Sequence, residues 1–516
     1  MTVPIIDIFA GPGGLGEGFT SVVRNRKRIF RIALSIEKDP YAHQTLTLRS
    51  FLRQFPPNRF PDEYYTFLES EEKDIQGLFA KYPREARKAA EEAWLFELGV
   101  EGTYDQLDAR IRKALGGQKT FVLIGGPPCQ AYSLVGRSRR KETRGLNKND
   151  PRVYLYREYY RILAVHNPPV FVMENVKGLL SSKVDDQSIF EQLLKDLENP
   201  VGSYKKLHGK KRVPYRNPGY NIFSLVRKPS ETLYGEAYSP EDFVVRAEDY
   251  GIPQTRHRVV LLGIRKDVNK EPDFLQRYGK HVTVRDVLNG LPCLRSGLSR
   301  EADSSDVWLE ALKEIQYRRR ARDMDLSVWD RMISVVEGLR VPKSGRGNEF
   351  VRCESKNFCD VSLSKWYLDS RLNGVCNHEA RAHIRNDLFR YLFASCFAEV
   401  YGRSPKLDDF PKLLLPKHKN VNEDARKFND RFRVQPYDFP SRTITSHISK
   451  DGHYYIHPDP FQCRSFTVRE AARIQTFPDN YFFCGPRTEQ YHQVGNAVPP
   501  LLAKQIAEIV AKIVTS

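Results

Sequence analysis

Few architectures accept a chain that opens apolar, breaks at a run of glycines and turns apolar again. Pro4 to Ala10 is apolar, Gly11 to Gly18 is glycine-rich, and Ile32 to Glu37 is a second apolar run. Strand, turn, helix and strand in that order open an α/β unit. Further strand-like runs at Phe121 to Ile124, Val170 to Met173 and Val259 to Ile264, with a helical stretch around Tyr154 to Val165, continue the alternation. Together they predict a mainly parallel, doubly wound sheet. The tail from Pro499 sets Leu502, Ile506, Ile509 and Ile513 on one helical face, which should pack back on the core.

Two stretches leave this pattern. Residues from about 53 to 117 are charged and rich in Ala, Glu and Lys, with Trp94, Leu95 and Leu98 interspersed, which predicts a helical insertion against the core with no chemistry of its own. From about Pro292 to Pro440 the regularity is lost and Arg, Lys, His and Asn become frequent. At 516 residues the chain exceeds one ordinary compact unit, so this stretch is read as a second domain. The division is then residues 1–280 for the first domain, 292–440 for a smaller, mostly irregular second one, and 441–516 for a return to the first. There is no internal repeat and no long low-complexity tract.

Lys and Arg number 82 against 64 Asp and Glu, a net charge of +18. That balance favours a polyanionic partner, with nucleic acid first, because each neutralised phosphate releases condensed counterions. No apolar run approaches the roughly 20 residues that span a bilayer, and the N-terminus enters a strand without the regions of a signal peptide. A soluble, cytoplasmic protein with no membrane partner is expected. Eight cysteines over the chain form no dense disulfide framework. Cys353, Cys359, Cys376, His378 and His383 gather in the second domain, but paired Cys-x-x-Cys spacing is missing and no metal is expected.

Five motifs carry chemistry. In Asp7-Ile-Phe-Ala-Gly11-Pro-Gly13-Gly14-Leu-Gly16-Glu-Gly18 the glycines let a ligand approach backbone and helix N-terminus. Glu37, ending the next strand, is placed to accept hydrogen bonds from two ribose hydroxyls. These features suit an adenosine-containing cofactor; Gly11, Gly13 and Gly16 also satisfy dinucleotide spacing, so a nicotinamide cofactor stays open. Gly125-Gly-Pro-Pro-Cys129-Gln130-Ala-Tyr-Ser133 fixes a thiol at the carboxyl end of a strand, and the basic stretch Arg137 to Lys141 behind it favours thiolate. Glu174 ends the apolar strand Val170 to Met173, where an acid can hold a proton near neutrality; a helix cap or an arginine partner is the plainer use. In Gln254-Thr-Arg256-His-Arg258, alternation sends both arginines to one side, where two guanidinium groups could meet one ligand. Gln493-Val-Gly495-Asn496-Ala497-Val498-Pro-Pro is a second small-residue turn, able to bring backbone and an amide against a ligand.

In this order and spacing the motifs resemble the DNA cytosine-5 methyltransferase family. Phe466-Thr-Val-Arg469-Glu-Ala-Ala-Arg473-Ile-Gln475-Thr-Phe-Pro478 is similar to the family's helical motif that braces the recognition domain. The likeness covers about residues 3 to 265 and 440 to 516. It implies a Rossmann-like fold that binds S-adenosyl-L-methionine, with Phe9 stacked on the adenine and the backbone of Ala10, Gly11, Gly13, Gly14 and Leu15 around the methionine part. Glu37 would hold the ribose, and Asn496 and Ala497 would close the pocket. Cys129 would add to carbon 6 of a flipped-out cytosine, Glu174 would bond ring nitrogen 3 and the exocyclic amine, and Arg258 would contact the carbonyl oxygen. Gln130, Ser133 and Arg256 would lie at the double-stranded DNA, under a mobile loop from Ser133 to Asp150.

The resemblance makes residues 292–440 the target recognition domain, with Asn377-His378-Glu-Ala-Arg381-Ala-His383 and Lys417-His-Lys-Asn420 as candidate DNA-facing segments. The insertion blurs the acid that contacts the adenine amine, leaving Asp105 and Asp108 both open. A first motif close behind Met1 points to a bacterial or phage-type enzyme, monomeric, as the protective half of a restriction-modification system. Two other activities are compatible with the same fold, that of an RNA cytosine methyltransferase and that of an inactive DNA-binding relative.

Overall fold

The computed structural model describes residues 2–57, 59–128, 155–184, 187–208, 217–232, 235–317, 319–353, 361–416 and 431–515. Cys129, Gln130, Ser133, the loop to Asp150, Cys359 and the segment from Lys417 to Asn420 lie outside them.

An eight-stranded sheet forms the centre. β1 (Val3–Ile8) is buried along its whole length and pairs in parallel with β2 (Phe30–Glu37) on one side and with β4 (Val122–Gly125) on the other. β3 (Ala93–Leu95) continues beyond β2, and β5 (Val170–Val176) beyond β4, both in parallel. The far edge is antiparallel: β8 (His257–Arg265) runs against β5, and β6 (Tyr220–Phe223) and β7 (Val244–Arg246) run against β8. The doubly wound sheet expected from the sequence is therefore present, with an antiparallel border. Strand order reverses at β1, which makes the carboxyl ends of β1 and β4 the natural crevice for a ligand.

Both faces of the sheet are covered, which is why its strands read as continuous apolar runs. Ile6, Ile8, Leu34 and Ile36 pack on one side under α4 (Tyr104–Leu115) and α5 (Tyr156–His166). Ile5, Ile32, Val172 and Leu262 pack on the other under α1 (Gly14–Thr20) and α10 (Pro500–Val514). The four residues assigned to one face of the C-terminal helix are all buried there.

The segment expected to be a purely helical insertion contributes β3 to the sheet and α4 to its core. It also contains α3 (Pro83–Glu92), which packs on α2 (Pro40–Arg53). A three-residue strand is too short to show a period, so its chain neighbours masked it.

The second domain has a core of its own around α6 (Leu326–Gly338) and α7 (Arg385–Tyr401), with Trp308 and Tyr391 fully buried, and a two-stranded ribbon of β9 (Gly347–Arg352) and β10 (Gly374–Glu379). That core continues through Ile456 and Cys463, so packing does not stop at residue 440. α8 (Val468–Ile474) is buried on every side and precedes α9 (Arg487–Asn496). Among the described residues no helix is long and apolar enough to cross a membrane.

Candidate active site

The turn after β1 is held in a costly backbone shape. Phe9, Gly11 and Gly13 have φ of +55°, +57° and +96°, and a non-glycine residue such as Phe9 adopts that region only where its surroundings enforce it. Glu37 does much of the enforcing. One carboxylate oxygen accepts from the Gly11 N–H at 2.7 Å and the other from the N–H groups of Lys38 and Asp39 at 2.8 Å each. Burial raises the pKa of this carboxyl, partly offset by those three donors. A Cβ placed on Gly11 would meet nothing within 4 Å, so the turn is open to a ligand beside Glu37. Phe9 and Ala10 are half-buried at the rim, whereas the Leu15 side chain belongs to the core and leaves only its backbone for a ligand.

The small-residue turn near the C-terminus closes on the same place. A Cβ on Gly14 would come within 2.3 Å of the Val498 carbonyl oxygen, and Asn496, two residues before Val498 at the end of α9, is exposed. Ala497 is buried, and its carbonyl accepts from Arg256 at 2.9 Å and from Gln475 at 3.0 Å.

Residues to which the sequence analysis gave no separate role hold this turn from beneath. Glu17 and Arg49 form a buried ion pair, Nε to Oε2 2.9 Å, and the Arg49 guanidinium lies 4.7 Å from the centre of the Tyr481 ring. The Tyr481 hydroxyl donates to the Pro12 carbonyl. Asp7 is fully buried with neither carboxyl oxygen hydrogen-bonded, and burial pushes its pKa up to about 8. In the sequence it only opened the glycine motif, with no role of its own.

The second cluster lies at the carboxyl ends of β4, β5 and β8. A Cβ on Gly125 would strike the Ile8 carbonyl oxygen at 2.4 Å, so β4 leaves the sheet tight against β1. A Cβ on Gly126 would stand 3.1 Å from Oε2 of Glu174. Asn175 donates to the Pro127 carbonyl at 3.4 Å. From β8, Nε of Arg258 lies 3.0 Å from Oε1 of Glu174, and both side chains are about one-seventh exposed, at 14% and 13%. The described chain thus reaches Pro128, next to Cys129 in sequence, beside a paired carboxylate and guanidinium.

Three expectations change. Arg256 does not share a ligand with Arg258: its N–H donates to the Gln254 carbonyl, which breaks strand alternation, and its guanidinium is buried. There it donates to the carbonyls of Ile444 at 2.7 Å and Ala497 at 2.9 Å, bracing the C-terminal turn instead of meeting DNA. Asp108 is committed to Arg161 at 3.1 Å and His166 at 2.8 Å, so it is not the acid for an adenine amine; Asp105 sits in the first turn of α4. β3, the neighbour of Glu37 in register through Leu95, instead brings Phe96 and Glu97 to that end of the sheet. Finally, Asn377, His378 and His383 do not face outward. Asn377 exchanges hydrogen bonds with the Phe483 backbone, His378 spans Thr467 and the Pro292 carbonyl, and His383 lies against Tyr391. Arg381 stacks 3.8 Å over Tyr491.

Comparison with known proteins agrees with this geometry. The model for the family of C-5 cytosine-specific DNA methylases matches residues 100–205 and 225–512. The type II methyltransferase M.Bpa9945I of Bacillus paralicheniformis is 33% identical over 531 residues, covering 99% of each chain. The DNA (cytosine-5-)-methyltransferase M.ApeKI of Aeropyrum pernix is 27% identical, covering 77% of this chain and 82% of that one. A prophage-encoded Escherichia coli protein assigned as a DNA modification methyltransferase superposes with a TM-score of 0.52 at 19% identity over all of both chains, a likeness of fold. A family match over most of the chain, on a sheet whose crevice holds these two clusters, makes this protein a member of the C-5 cytosine-specific DNA methylases.

Proposed function

We propose that the protein methylates carbon 5 of one cytosine within a specific duplex sequence, as the protective enzyme of a restriction-modification system, with Cys129 as the covalent nucleophile. The Glu174–Arg258 pair beside Gly126 is the observation that supports this most, because it sets an acid and a cation against the turn that leads to Cys129. The cofactor is S-adenosylmethionine, which supplies the electrophilic methyl group when bound. The chain fits it: the turn at Gly11 is open, and Glu37 is fixed beside it. Phe9 would lie on the adenine, Glu37 would take the ribose hydroxyls, and Asn496 with Ala497 would border the pocket.

An aromatic carbon is a poor nucleophile until its conjugation is broken. The Cys129 thiolate forms an Sγ–C6 bond, and the C5–C6 electron pair moves to carbon 5. Glu174 holds a proton at ring nitrogen 3 and accepts from the exocyclic amine, while Arg258 contacts the carbonyl oxygen, so the displaced charge is met where it develops. Carbon 5 accepts the methyl group; the carbon 5 proton leaves, the Sγ–C6 bond breaks, and aromaticity returns. The reacting edge is hidden in the duplex, so the base must be turned out, with Gln130, Ser133 and the loop to Asp150 at the opened helix. Residues 292–440 read the site, and the enzyme acts as a monomer.

Duplex DNA carrying 5-fluorocytosine at the target tests this directly, since the fluorine cannot leave as a proton does and the adduct persists. A stable protein–DNA adduct is expected from the parent and none from Cys129→Ser. An adduct of equal yield in that variant overturns the assignment.

A further inference from the structure

A second cavity lies at the amino-terminal half of β2, away from the reacting groups. β3 pairs only with Ser35, Ile36 and Glu37, so among the described residues the outer edge of β2 from Phe30 to Leu34 has no strand beside it. The ends of α2, α3 and α4 close over that gap and leave a cavity of about 390 Å³, a size that holds small ligands. A β-bulge falls at the same point: Ile5 pairs with Ile32 and Ile6 with Leu34, so Ala33 is the extra residue. Bulges re-aim a strand and recur beside binding sites. Ile32, Ala33 and Ala114 give the cavity an apolar portion.

Its charged lining is strongly one-sided. Arg28, Arg31, Arg53, Lys88, Arg110 and Lys113 line it, against Glu91 and Glu92. Glu92 is already committed, to Arg53 at 2.9 Å and Gln54 at 3.0 Å. Arg28 gives one nitrogen to the carbonyls of Arg53 and Phe55 at 2.7 and 3.0 Å and forms no direct ion pair among the described residues, though Glu17 and Glu92 stand near enough to offset part of its charge. Burial and the neighbouring Arg53 charge hold the Arg28 pKa below its ordinary value. The buried Nη1 of Arg53 has no hydrogen-bond partner, its nearest carboxylate being Glu17 at 4.0 Å. Lys88 and Lys113 make no hydrogen bond or ion pair with any described residue. Six cations share this recess with two carboxylates, and a multivalent anion would relieve their mutual repulsion.

We propose that this cavity binds the phosphate groups of a free, nucleotide-sized ligand. A DNA backbone runs along an outer face, whereas these cations line the walls of a half-open recess between the ends of three helices. Ala33 also lies about 13 Å before Glu37 along the strand at roughly 3.3 Å per residue, on the sheet's opposite end from the crevice. Apolar groups beside the cations suit the base and sugar of a nucleotide.

Titration calorimetry with inorganic tripolyphosphate, with the cofactor crevice saturated by S-adenosylmethionine, tests the site, and adenosine triphosphate and a non-specific duplex form two further arms. Tripolyphosphate is expected to bind the parent protein and to bind Lys88→Glu/Lys113→Glu at least about tenfold more weakly. Both lysines are exposed, so melting temperature and methyl transfer should be unchanged. Adenosine triphosphate should follow the same pattern. No binding to the parent, or equal binding to the double variant, overturns the proposal. Weakening confined to the duplex arm also overturns it, by giving these cations to the DNA backbone.

Discussion

Arg256 and Arg258 are separated by one histidine and serve different ends. Arg258 meets Glu174, whereas Arg256 is spent on buried carbonyls of two distant segments. Replacing Arg256 with Ala should leave those acceptors bare and cost about 2–4 kcal/mol of stability, measurable by urea unfolding. Arg258→Ala should instead leave folding nearly intact and lower kcat on the order of a hundredfold, with DNA affinity little changed. Quench-flow and filter binding separate the two effects. The residues proposed to bear chemistry drew notice because strand ends and small-residue turns advertise such positions. The partition between the arginines was not, since it depends on a local turn at Gln254 and on Ile444 and Ala497, far away in sequence. Asp7 and the Glu17–Arg49 pair were illegible for the same reason: only burial gives them meaning.

At the scale of elements, the glycine-rich turn does two jobs, and its sequence announced one. Gly11 and Gly13 supply left-handed backbone, but Gly18 is needed for contact: a Cβ there would lie 2.4 Å from the Ala503 Cβ and from the Pro500 carbonyl oxygen. Gly18→Ala should push α10 off α1 and cost about 1–3 kcal/mol, seen as a lowered melting temperature, and should weaken cofactor binding by calorimetry as the turn loosens. Amphipathic periodicity located α10 and implied that it packs on the core, yet no pattern within α10 names its partner. β3 shows the reverse case, a strand too short for any periodicity, placed in the sheet by its register with β2.

Across the whole molecule, three histidines link the second domain's core to the bracing helix, and all are held neutral by burial. His378, His383 and His457 have pKa values lowered from 6.5 to about 4, 3 and 4. Between about pH 6.5 and 4 the unfolded chain binds protons that the folded one refuses, so stability should fall as pH drops through that window. The slope is at most about 1.4 kcal/mol per pH unit for each histidine. Asp7, whose folded pKa is raised, acts in the opposite sense and offsets one of the three. Calorimetric scans at pH 7, 6 and 5 should show the melting temperature falling, with a shallower fall in His378→Asn; a flat profile would contradict the neutral, buried state. The division into two domains was visible in composition, but not the passage of the second core beyond residue 440, because buried arginines such as Arg464 and Arg469 read as surface. The contact of α1 with α10 has a last consequence, in time. On the ribosome α1 is made long before the segment that covers it, and its outer glycines wait for Val498 to reach Gly14 and for α10 to seat on Gly18. The wall of the crevice at Gly14 and Gly18 therefore cannot close before the chain has been made through α10.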